Sequence, residues 1–139
     1  MKGGVAVVLT SAALSACGSA PSAPRRAPTY VDRVRERVRA ASDAGSYLLR
    51  YNPAAECGCP PFEVRLGEVW QRVEIGGDEE DPVIVGLAEV AQKKSEGRER
   101  RVFEVEGQLQ DLVALCGRGG LYASLVPTAL LGEVGPSAP

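Results

Sequence analysis

A chain of 139 residues, 45% hydrophobic and 24% charged, has room for one domain of about a hundred residues with one modest core, and not for two. Its formal net charge of −2 supplies no global basic field, which disfavours general nucleic-acid binding. The chain contains no histidine, and this removes Ser-His-Asp and Cys-His catalysis together with every zinc site that needs imidazole.

Residues 1–17 read MKGGVAVVLTSAALSAC: one basic residue, a short apolar run, then small residues, the three-part pattern of an export signal. The apolar run is too short to span a bilayer. Its end, Leu14-Ser15-Ala16-Cys17, resembles the lipobox of bacterial lipoproteins. The resemblance covers the leader alone and implies a signal peptide over 1–16, cleavage between Ala16 and Cys17, a diacylglycerol on the Cys17 thiol and acylation of the new amino terminus. Covalent lipid on Cys17 is the one added group expected, with no other cofactor. Several acyl chains make a durable membrane anchor, whereas one binds only marginally. Loss of Lys2, the only charge before Cys17, takes the net charge from −2 to −3. In the lipoprotein family an Asp after the acylated Cys retains the protein in the inner membrane, and Gly18 gives no such signal. The expected location is therefore exported and lipid-anchored, on the outer membrane or periplasmic face if the cell has two membranes.

Residues 17–28 continue as a tether. The segment GSAPSAPRRAP has no apolar periodicity and predicts an extended linker. Arg25 and Arg26 read as solvated charges rather than a lipid-binding patch.

The folded domain is expected over 29–131. Residues 29–44 place Val31, Val34, Val38 and Ala41 on one helical stripe, with Thr29 as its cap and Gly45 as its end. Residues 47–51, YLLRY, read as a strand stopped by Asn52-Pro53. The clearest signal follows the CGCPP corner. Phe62, Val64 and Leu66 alternate with Glu63 and Arg65, and Gly67-Glu68 offers a two-residue turn with Gly first. Residues 69–75 return. Pairing across the turn sets Leu66 against Val69, Val64 against Gln71 and Phe62 against Val73, with Glu63 against Arg72 on the other face. Arg65 then faces Trp70, within reach of a cation–π contact.

Residues 76–82, GGDEEDP, form an acidic turn whose spacing does not fit an EF-hand loop, so a solvated turn is expected. Residues 82–92 fit either a strand, through Val83, Ile84 and Val85, or the start of a helix at LAEVAQKK, and the strand is the reading preferred. Residues 101–110 look extended, with Phe103, Val105 and Leu109 on one face, and together these two suggest a second hairpin. Residues 112–116 and 121–126, joined by a Gly-rich turn at 117–120, suggest a third, ended by Pro127. Residues 132–139 read as a disordered tail.

The fold class expected is α+β, mainly antiparallel β: an N-terminal helix followed by a curved sheet or small barrel, an OB-like barrel being one form. OB folds bind single-stranded nucleic acid or oligosaccharide, but the few aromatics and the charge favour no nucleic-acid partner here.

With Cys17 consumed by lipid, Cys57, Cys59 and Cys116 remain in an oxidising compartment. Three readings stand: a structural disulfide from Cys116 to Cys57 or Cys59, a thiol–disulfide exchange pair at Cys57-Gly58-Cys59, and a three-thiolate site for Cu(I) or zinc. The compartment favours the first. Paired carboxylates among Glu63, Glu104, Glu106 and Asp111 lack a separation that sequence can supply, so no catalytic residue and no metal ligand is assigned. The expectation is a non-enzymatic, lipid-anchored binding or structural module of the cell envelope, with an envelope protein or polymer as partner. The alternative is a thiol redox or metal-binding protein.

Overall fold

The computed structural model describes residues 25–52, 58–94 and 101–136. The leader, Cys17 and Cys57 lie outside them. Helix α1, Tyr30–Ala41, precedes strands β1, Ala44–Tyr51, β2, Phe62–Leu66, and β3, Val69–Ile75; helix α2, Pro82–Lys94, then leads to β4, Arg101–Cys116, and β5, Gly120–Pro136. The fold is α+β and mainly β. Its strands close a ring in the order β1-β2-β3-β5-β4, the last pairing back onto the first. Every rung is antiparallel except β3 with β5. Of the two forms expected, the described strands take the closed, barrel-like one.

The ring follows from local sequence where the pattern is strong. β2 and β3 pair in the register expected, Leu66 with Val69 through Phe62 with Val73, around Gly67 at φ 64°. Period-two alternation turns Val64, Leu66, Gln71 and Val73 inward, where all four are buried. β4 turns Val105 and Leu109 into the same core, and β5 adds Leu125. α1 seals the ring with Val34 and Val38, two of its most buried side chains, while its arginines stay in or near solvent. It ends earlier than expected, at Ala41 with Ser42 as cap, so Gly45 belongs to β1.

Thr29 starts α1 through a reciprocal cap. Its Oγ1 accepts from Asp32 N–H at 3.2 Å, and Thr29 Oγ1 and N both donate to Asp32 Oδ2, at 2.7 and 2.9 Å. The Thr29 hydroxyl first, then its backbone N–H, hold the Asp32 carboxyl below its ordinary 3.8. A depressed folded-state value means that this contribution is complete above pH 3.8 and fades as pH falls through the lowered one. Thr29→Ala is expected to cost about 1 kcal/mol at neutral pH in denaturant melts. The stabilities of Asp32→Asn and the parent chain are expected to converge as the pH is taken below 3.8.

Residues 82–92 are not a strand. They form α2, so there are two helices among the described residues and no second hairpin made from this segment. The reason is the start signal: Asp81 Oδ1 accepts from Val83 N–H at 2.9 Å and Asp81 O from Val85 N–H at 3.0 Å, with Pro82 at the first helical position, where its missing N–H costs nothing. Leu87, 2% exposed, then reaches the core. That cap overrides the β-branched run.

Pro127 does not end β5. The strand passes it at a register shift where Pro127 faces Gly107. A Cβ on Gly107 would stand 2.6 Å from Val126 O and 2.9 Å from Pro127 Cα, so only glycine admits the backbone of β5 this close. β5 also continues over 132–136, the start of the expected tail, pairing with 101–104 and fastened by Arg101 Nη1 to Glu133 Oε1 at 2.7 Å. The acidic turn at 76–80 has Asp78, Glu79 and Glu80 exposed. No described helix is long and apolar enough to cross a membrane.

Candidate functional site

One end of the ring gathers the approach to β2, the β4–β5 turn and the middle of β3. Cys59 and Cys116, 57 positions apart, are bonded there with Cα atoms 4.9 Å apart. This is one of the two pairings open to Cys116, and it takes two of the three sulfurs of the proposed redox or metal group. The bond lies against the bare Cα of Gly120, where a Cβ would be 2.8 Å from Cys59 Sγ and 3.0 Å from Cys116 Sγ. Glycine at 120 therefore lets the cross-link sit inside the turn.

Two grooves share Cys59 in their walls. The first, of about 290 Å³, is lined by Tyr30, Trp70, Gln71, Arg72, Arg118 and Leu121 among others. It sits where β3 and β5 part. Their parallel rung runs only from Val73–Ala123 to Ile75–Leu125, and ahead of it the Gln71 side chain bridges the seam, Nε2 donating to Leu121 O at 2.8 Å. The second groove, of about 480 Å³, is more apolar, with Pro60, Pro61, Phe62, Ile75, Leu115 and Tyr122, and carries Glu74.

Behind the first groove lies a charged cluster. Glu63, 7% exposed, accepts from Arg50 Nε at 2.6 Å and from Asn52 Nδ2 at 3.0 Å. Arg72 Nη2 stands 3.9 Å from Glu63 Oε1, and Nη1 donates to Pro60 O at 3.3 Å. Glu63 thus belongs first to Arg50 and only loosely to Arg72, the partner expected. The Arg50 guanidinium also lies 4.2 Å from the Trp70 ring centroid, so the cation–π partner of Trp70 is Arg50. Arg65 instead donates to Gly67 O at 3.1 Å. Arg118, exposed in the turn, makes no ion pair among the described residues.

The other carboxylates considered do not converge. Glu104 Oε1 accepts from Ser46 Oγ at 2.6 Å, and Asp111 pairs with Arg39 at 3.2 Å on the surface. Among the described residues no group of three or more Cys, Asp or Glu side chains could hold a metal ion. Tyr30, Arg72 and Arg118 carry no local sequence signal that marks them as groove residues. Alternation does put Trp70 and Arg72 on one outward face, but the turn that brings Arg118 to them comes from 46 positions further on. Comparison with protein-family models, with curated proteins and with solved structures finds no match to this chain.

Proposed function

We propose that this protein is a lipid-anchored module of the cell envelope that binds rather than catalyses, engaging an envelope polymer or protein at the cross-linked end of its ring. The observation that carries the reading is the Cys59–Cys116 bond between two grooves. A cross-link joining segments so far apart in sequence makes a rigid wall, and preformed walls suit binding. The anchor rests on Leu14-Ser15-Ala16-Cys17 and the tether behind it, which would hold the domain off the membrane while leaving it free to turn.

A mass map of membrane-extracted protein, with thiols alkylated before and after reduction, tests the anchor and the wall together. The expected products are an acylated peptide beginning at Cys17 and a uniform Cys59–Cys116 link. An unmodified Cys17 would sink the anchor. A Cys57–Cys59 bond, or thiols protected only when metal is present, would replace the binding module with redox or metal chemistry. The extracted protein is further expected to co-sediment with insoluble envelope material, and failure to do so would remove the binding reading.

A further inference from the structure

Resting on that reading, we infer that the groove at the β3–β5 seam takes a saccharide carrying an anionic group, a uronate or phosphosugar unit of an envelope glycan. The charge on its walls is one-sided. Arg72 and Arg118 line it, and no Asp or Glu stands among its described lining residues. Glu63, the acid beside Arg72, is buried and already bonded to Arg50 at 2.6 Å, with Arg72 at the longer 3.9 Å. Arg72 is thus held only loosely by this acid, and Arg118 makes no ion pair among the described residues. This local excess sits on a chain whose net charge is −2. Guanidinium forks match carboxylate and phosphate oxygens two at a time.

Aromatic rings complete the match to a sugar. Tyr30, 56% exposed, and Trp70 stand in the same wall. Arg50 covers one face of Trp70, so the other face or the edge is what the indole offers a ligand. Flat rings beside charged forks suit a pyranose, which has an apolar face and a polar rim. The volume, about 290 Å³, is at the small end of ligand sites, enough for a unit and not a long run. The second groove has Glu74 and no arginine among its described lining residues, so it does not share this preference.

Trp70 is the only tryptophan, so its fluorescence reports the groove directly. The detergent-solubilised full chain would be titrated with tetragalacturonate and glucose 1-phosphate, with maltotetraose as the neutral counterpart and an oligothymidylate as the competing polyanion. We expect a saturable change with at least one of the two anionic sugars that weakens as salt is raised. Binding to galacturonate alone assigns a carboxylate ligand and binding to the phosphate alone a phosphosugar. Arg118→Ala, in an exposed turn, should weaken binding by about tenfold or more without moving the melting temperature. Equal binding of maltotetraose, tighter binding of the oligothymidylate, no effect of Arg118→Ala, or silence with both anionic sugars would each overturn the assignment. If the protein still co-sediments with envelope material in that case, the binding reading stands and only this ligand falls.

Discussion

Replacing Glu63 with alanine is expected to cost about 3–5 kcal/mol of folding stability, the range for removing one member of a buried ion pair. Both partners are enclosed, with Arg50 and Glu63 side chains 8% and 9% exposed. The substitution takes from the buried Arg50 guanidinium its 2.6 Å carboxylate contact, and Asn52 Nδ2 loses the Oε1 acceptor as well. Desolvation of a buried charge that has lost this contact, more than the lost attraction, sets the size of the effect. The double replacement Arg50→Met, Glu63→Met removes both charges at once and is expected to cost less than Glu63→Ala alone. Denaturant melts of the three proteins decide the matter: a loss below about 1 kcal/mol for Glu63→Ala would mean the pair behaves as an exposed one.

Removal of the cross-link is expected to be comparably severe. For a bond closing 57 positions, the chain-entropy account gives about 4 kcal/mol at 25 °C. In a domain of this size that corresponds to a fall in melting temperature on the order of 20 °C. The comparison is between the oxidised parent and Cys59→Ser, Cys116→Ser with Cys57 kept, followed by near-ultraviolet circular dichroism. A variant that melts within a few degrees of the parent would show that the bond does not hold the end of the ring together. It would also favour a thiol role, since a redox pair can be removed without loss of fold.

Short-range pattern carried much of this architecture. The β2–β3 register, the α1 stripe and the Val105, Leu109 face of β4 each follow from spacing and a turn within a few residues of one another. What was hidden depends on distance along the chain. Nothing near Trp70 in sequence announces that Arg50 will cover it, because the contact exists only once β1 lies beside β2. The choice of Cys59 for Cys116 is likewise a matter of where the β4–β5 turn arrives. Residues 82–92 differ for another reason: Val83, Ile84 and Val85 suit a strand or a buried helix turn, and the deciding Asp81-Pro82 cap sits at the end of an acidic, turn-like run. The groove required both kinds of information, since Tyr30, Trp70 and Arg118 come from three distant segments.

The parallel rung between β3 and β5 has a kinetic consequence. Val73 meets Ala123 only after α2 and β4 have been threaded between them, so the ring cannot be completed by neighbouring hairpins zipping up in turn. Its closure is a non-local search, the kind of step that slows β-rich folding. The Cys59–Cys116 bond spans the same gap. A chain that reaches its oxidant early starts that search with the two sides already leashed, and a reduced chain must find them across the full loop. Oxidation and ring closure are thereby coupled, and the speed of maturation is tied to the compartment in which the chain folds.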